Sequence, residues 1–281
     1  NTAGGKYGSL ALNAAGAAHI SYYTNITEDL LYTTNATGAF ATNTTEFVDG
    51  QARRVGIDTS VAIDSKGKVH ISYYDLDNED LLYATNSTGQ WILYQVDTMG
   101  SVGRYTSIAI DSADRIHISY ADSTNTNLKY ATATTPTAWT LTTVDNSAGE
   151  VGQFSSLALD SNGKVHISYY DNTNKNLKYA TNKSGEWKTE TVEDSEDDVG
   201  TYSSIAIDKN GKVHISYHNY TTGDQKYATN TSGKWANYTV DGLFTLDRTG
   251  LGSSIGVDTN RKVHISYVVE TSNKVKYAKS K

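Results

Sequence analysis

The 281-residue sequence has no cysteine and only one proline and one methionine. Without cysteine there can be neither a disulfide nor a thiolate metal site, and the redox compartment stays open. No apolar run approaches the ~20 residues that a membrane-spanning helix needs, so no membrane insertion is expected. No basic leader precedes an apolar segment, so any signal peptide is expected to have been removed already. There is no excess of positive charge either. The formal net charge is -7, which argues against a nucleic-acid partner. The G-x-S-x-G, H-E-x-x-H and phosphate-loop motifs are absent, and no segment shows the helical period. What the chain does have is Tyr, Thr, Ser and Asn in quantity, a palette for strands and turns.

The octet KVHISYYD stands at residues 68–75 and again, unchanged, at 164–171. The variants AAHISYYT, RIHISYAD, KVHISYHN and KVHISYVV bring the count to six. Their histidines are His19, His70, His117, His166, His214 and His264, spaced by 51, 47, 49, 48 and 50 residues. Around each octet lie four short alternating segments, A to D, clearest in the fourth copy as SSLALD, KVHISYYD, NLKYATN and WKTETV. Gly-bearing turns join A to B and C to D, a short polar loop joins B to C, and only the D-to-A link is long. Three hairpins and one crossing in each repeat of about 48 residues predict an antiparallel meander, the blade of a β-propeller. The sequence therefore reads as all-β, a single six-bladed propeller domain over 1–281. The blades fall at about 7–49, 57–97, 105–145, 154–193, 202–241 and 252–281. Trp91, Trp139, Trp187 and Trp235 all open segment D, with Phe40 in that place in blade 1, so every tryptophan belongs to the scaffold. Segment A, small residues between aliphatics, is placed innermost, where crowding is greatest.

The C-to-D turns TNSTGQW, TNKSGEW and TNTSGKW resemble the Asp-box of sialidase-like propellers, S-x-D-x-G-x-x-W. Asn stands where that family has Asp, and blade 3 (TATTPTAW) loses the turn. The whole repeat is similar to extracellular propeller repeats of bacteria and archaea. These resemblances imply a fold and an extracellular or cell-surface location more than an activity. A sialidase also needs three arginines gripping a carboxylate and a Tyr–Glu pair. Arg53, Arg54, Arg104, Arg115, Arg248 and Arg261 do not recur at one place in three blades, so neither an enzyme nor a catalytic residue is expected.

Six equivalent histidines argue against catalysis, which needs a residue once, and against a metal, since the six would lie far apart. They read as hydrogen-bonded core residues. Function is expected where the copies diverge, in the B–C and D–A loops at one end of the blades. Tyr23, Tyr74, Asp75, Tyr170, Asp171 and His218 end the B segments there, and they are the candidate ligand-binding residues, with tyrosines to stack on sugars and carboxylates to accept hydroxyl protons. Asp75, Asp77 and Glu79 offer hard oxygens to Ca²⁺. The EF-hand spacing is not met, however, and solvated hairpin acids are the preferred reading, with no cofactor. Sequons stand at Asn25, Asn35, Asn43, Asn86, Asn182, Asn219, Asn230 and Asn237. They permit glycosylation, although turn chemistry alone explains four of them.

Segments A, B and C occur six times and D five times. Blade 6 is therefore expected to expose an unpaired edge over Val275, Lys276, Tyr277, Ala278, Lys279 and Ser280, which invites a strand from another copy of the chain. The expected donor is Asn1, Thr2, Ala3, Gly4, Gly5 and Lys6, the only stretch outside the blade pattern. A head-to-tail contact of that kind builds a filament. The function expected from sequence is thus non-catalytic structure or adhesion at the cell surface, with self-assembly through blade 6. A lectin using the variable loops is the alternative.

Overall fold

The computed structural model describes residues 5–36, 44–50, 53–242 and 248–280. Its strands form six antiparallel sheets, five of four strands and one of three. They are the blades of a six-bladed β-propeller. Contacts gather into two compact units, Asn1–Thr143 and Val144–Lys281.

Blade 4 shows how the sequence makes a blade. Strand A is Val151–Leu159, B is Val165–Asp171, C is Asn176–Thr181 and D is Lys188–Glu193, paired in that order. The A–B turn closes when Asp160 Oδ1 accepts the N–H groups of Asn162 and Lys164 at 2.8 and 3.0 Å. Gly163 (φ 71°) supplies the left-handed residue that this turn needs. The C–D turn is tied back to strand B by the Val165 N–H, which donates to Asn182 Oδ1 at 2.8 Å. Asn35, Asn86 and Asn230 accept in the same way from Ala18, Val69 and Val213. These turn asparagines therefore lock a hairpin register.

Strand A is longer than its sequence pattern suggested. The six copies are Gly5–Leu12, Val55–Ile63, Val102–Ile110, Val151–Leu159, Val199–Ile207 and Thr249–Val257. Each begins two or three residues ahead of the expected blade boundary. The added residues, V-G-x-Y or close to it, contain a bulge that breaks simple alternation. The glycine is obligatory. At Gly200, with φ 112°, a Cβ would stand 2.8 Å from Leu177 Cα in the preceding blade.

Two devices hold a blade to the one before it. The tryptophan that opens strand D packs edge-on to the strand-C tyrosine of the preceding blade, as in Trp91–Tyr32, Trp139–Tyr83 and Trp235–Tyr179 at 5.3–5.4 Å. The acid that closes strand D (Asp49, Asp97, Asp145, Glu193 or Asp241) accepts the hydroxyl proton of the next strand-B tyrosine (Tyr73, Tyr120, Tyr169, Tyr217 or Tyr267). A strand-C lysine joins four of these acids, and Arg53 joins Asp49. The staple is repeated from blade to blade.

Candidate functional site

The repeated histidines are part of the frame. In every blade the imidazole Nδ1 meets a strand-C tyrosine hydroxyl, at 2.5–2.6 Å for His19–Tyr32, His70–Tyr83, His117–Tyr130 and His214–Tyr227. His166 meets Tyr179 and His264 meets Tyr277 in the same way. Nε2 faces the A–B turn. There it lies 3.2–3.8 Å from Asp64, Asp111, Asp160, Asp208 or Asp258, and 3.1 Å from the Asn13 amide in blade 1. At the longer of these separations, in His70, His166 and His214, Nε2 makes no hydrogen bond among the described residues. Burial lowers the pKa of His19, His70, His117, His166 and His214.

The residues picked from the diverging loops are not a binding surface. Tyr23, Tyr74, Tyr170, Asp75, Asp171 and His218 are all buried, none more than 7% exposed. The strand-A bulge covers them, a feature that period-two reasoning does not anticipate. The carboxylates are spent on their own turns. Asp75 Oδ1 accepts the N–H groups of Asp77 and Asn78, and Asp75 Oδ2 takes Arg53 and the Asn78 amide. Asp171 caps Thr173 and Asn174. The suggested Ca²⁺ ligands do not converge, because Asp77 is turned to Arg54 at 2.7 Å and Asp75 is enclosed. Among the described residues no group of three acids or histidines is placed to hold a metal.

The bulges carry side chains that reach the surface, Tyr7 and Tyr202 exposed and Asp58, Tyr105 and Phe154 half-buried. Tyr7, Asp58, Tyr105, Phe154 and Tyr202 occupy one equivalent position and all have φ of 50–55°, whereas blade 6 has Gly252 there. Left-handed backbone is expensive for bulky side chains and free for glycine. In the first unit the Arg104 guanidinium donates to Asp58 at 2.9 Å and lies 5.3 Å from the ring centres of both Tyr74 and Tyr105. Tyr7 stands edge-on to Tyr23 at 6.1 Å and is 46% exposed. In the second unit Phe154 contacts Tyr170 and Tyr202 at 6.2 and 4.7 Å. Tyr202, 39% exposed, covers His218 at 6.4 Å. Tyr220, exposed nearby, receives Arg248 at 4.8 Å. Beneath them the Tyr170 hydroxyl donates to Asp198 at 2.6 Å, and burial together with that acid raises its pKa. His218 Nδ1 lies 2.6 Å from the Thr249 carbonyl, and burial lowers its pKa. The aromatic rings that sequence reasoning missed were signalled by Gly-x-Tyr or Gly-x-Phe three or four residues ahead of four of the six A segments, whereas the Arg104–Asp58 pair carried no such signal.

Of the sequons, Asn25 and Asn237 are exposed, and Asn219 is 2% exposed with its side chain capping Thr221 and Thr222. Asn43 lies outside the described residues. So do Asn1, Thr2, Ala3 and Gly4, whereas Gly5 and Lys6 belong to strand A, opposite Thr24 and Tyr23. Those two are therefore not available as a free donor segment.

No protein-family model matches this chain, and no curated protein matches it. Solved structures do. A lectin of Aleuria aurantia in complex with Fucalpha1-6GlcNAc superimposes with a TM-score of 0.61 and 11% identity, over 97% of this chain and 90% of that one. An intramolecular trans-sialidase from Ruminococcus gnavus gives 0.61 and 10%, over 97% and 93%. An ulvan lyase, a polysaccharide lyase, gives 0.68 and 11%, over 96% and 79%. At these identities the likeness shows a shared fold, that of a β-propeller.

Proposed function

We propose that the protein is a non-catalytic carbohydrate-binding propeller that works in adhesion outside the cell or at its surface, with the strand-A bulge aromatics of each unit as sugar-contacting groups. One observation carries this reading. At a backbone position where glycine costs nothing, as Gly252 demonstrates, four blades hold Tyr7, Tyr105, Phe154 and Tyr202 in left-handed conformation. Strain of order 1–3 kcal/mol per residue that recurs where rings reach solvent belongs to a ligand-contacting surface. The arginines support a binding role over turnover. Arg53, Arg54, Arg104 and Arg248 each stand with a carboxylate of this chain, and do not form a group turned to one substrate acid. The Aleuria lectin agrees with this reading, as an example of what the fold can do.

The test uses substitutions that remove a ring and release strain together. Tyr7→Gly, Tyr105→Gly, Phe154→Gly and Tyr202→Gly should fold as well as wild type, and combined they should abolish binding on a glycan array. Undiminished binding by the fourfold variant, or hydrolysis of an arrayed glycan by the wild type, would sink the proposal. Self-association through blade 6 is the second reading. It is favoured by the exposure of Val275 (74%) and Tyr277 (63%) on a strand paired on one side only among the described residues.

A further inference from the structure

Blade 6 comprises strand A, strand B (Val263–Val269) and strand C (Lys274–Lys279). Against strand C lies a cavity of about 150 Å³ walled by Tyr227, Val240, Val263, Ile265 and Ala278. That is about the size of an apolar cavity known to accept a benzene ring. One blade earlier the equivalent residues are Tyr179, Val192, Val213, Ile215 and Ala228. They belong to a closed core cluster with Trp235 packed against it, its ring 5.4 Å from that of Tyr179. Ala228 is fully buried there, whereas Ala278, Tyr227 and Val240 are only partly buried.

We infer that this cavity is a tryptophan seat, and that the edge of blade 6 accepts an extended polypeptide segment with the chemistry of strand D: Trp, four further residues, then Val and an acid. The inference rests on the open-edge reading and sharpens it from any strand to one led by Trp. Pairing in blade 5 supplies the register. There Gln225 lies opposite Asp241 and Thr229 opposite Ala236, the residue after Trp235. The same register in blade 6 sets the incoming acid opposite Val275 and the residue after the incoming Trp opposite Lys279. The indole then enters beside Ala278. Exposed Lys274, next to Val275, suits a segment that ends in an acid. The donor expected from sequence, Asn1–Lys6, has no aromatic residue. The chain's own Trp-led segments are already paired within their blades.

The probe is a synthetic peptide with the sequence of residues 232–242, SGKWANYTVDG, alongside the same peptide carrying Trp235→Ser. By titration calorimetry the Trp peptide should bind one to one, and the Ser peptide at least about tenfold more weakly, as expected for loss of a buried aromatic anchor. Ala278→Phe fills the seat and should erase that preference. If this variant does not fold, hydrogen exchange on the wild type gives the same reading: amides of 275–279 should be slowed by the Trp peptide and not by the Ser peptide. Equal binding of both peptides would overturn the seat while leaving the open edge standing. Binding of neither would overturn both. Assemblies of the native chain that dissolve in saturating Trp peptide would assign the edge to a second copy and overturn the proposed occupant.

Discussion

Blades 4 and 6 share the stretch KVHISY and make the same internal bonds, yet they live in different environments. His166 and His264 both hold a strand-C tyrosine through Nδ1, and their Nε2 atoms face Asp160 and Asp258 at 3.6 and 3.2 Å. In blade 4 all seven strand-B residues are buried, whereas in blade 6 burial alternates along the strand. Tyr179 is 4% exposed and its counterpart Tyr277 is 63% exposed. The hydrogen-bond pattern is thus written within each repeat, while burial comes from whatever packs on it. Equivalent residues in the two blades should therefore differ in energy even where their partners match.

The staples put the largest number on that difference. Lys178 and Asp145 meet at 2.5 Å with side chains 10% and 4% exposed, whereas Lys276 and Asp241 meet at 2.7 Å with 45% and 24% exposed. Burial pushes the Asp145 carboxyl up, but Lys178 and the Tyr169 hydroxyl outweigh it and hold the group below the usual carboxylate range. Removing one partner of an enclosed pair strands a charge, and Lys178→Ala should cost about 3–5 kcal/mol in urea unfolding. Lys276→Ala, in a solvated pair, should cost about 0–1 kcal/mol. Equal costs would break the comparison.

Next in size is the tryptophan. Trp235→Ala should leave at Tyr179 the kind of cavity already present at Tyr227, and should cost about 3–4 kcal/mol, the lower part of the range for large aromatics because the ring is only partly enclosed. Ring-current shifts on Ala228 and Val213 should vanish with it. A loss under about 1 kcal/mol would mean that the indole is not what closes the wedge between blades.

Much of this was legible in sequence, and the failures have separate causes. The six-fold repeat, the A-B-C-D meander, the structural tryptophans and the paired histidines all follow from local period and turn chemistry, which act within a few residues. The reading of Tyr74, Asp75, Tyr170 and His218 as a ligand surface failed because strand B is buried on both faces, and the bulged start of strand A lays Arg104, Phe154 and Tyr202 against Tyr74, Tyr170 and His218. Tyr7 and Tyr202, which open expected blades 1 and 5, were passed over because they stand just ahead of the alternating A segments. The staples were invisible for another reason. Asp145 and Lys178 lie 33 residues apart, and nothing local in either segment announces the other.

The smallest expected effect is also the one with a pH signature. At pH 8, His166→Gln should cost about 1–3 kcal/mol, because a buried tyrosine hydroxyl loses a well-placed partner. His264→Gln should cost less than about 1 kcal/mol, since water can reach Tyr277. Burial lowers the His166 pKa below its ordinary value of about 6.5, despite Asp160 drawing it the other way. Asp160 itself is raised by burial, but the N–H groups of Lys164 and Asn162 bring it below the usual range, so it remains ionised through this window. The sign follows. The unfolded chain takes up a proton near pH 6.5 and the folded one only at lower pH, so the stability due to neutral His166 is complete above 6.5 and drains away as pH falls through the interval beneath it. Wild type should therefore lose stability on acidification faster than His166→Gln, and the gap between their unfolding midpoints should narrow from pH 8 to pH 5. His19, His70, His117, His214 and His218 are lowered by burial as well, which makes the whole fold acid-sensitive in the same interval. A constant gap would show that the fold prefers neither form, and a widening one that it prefers the imidazolium held by Asp160; either would overturn this prediction.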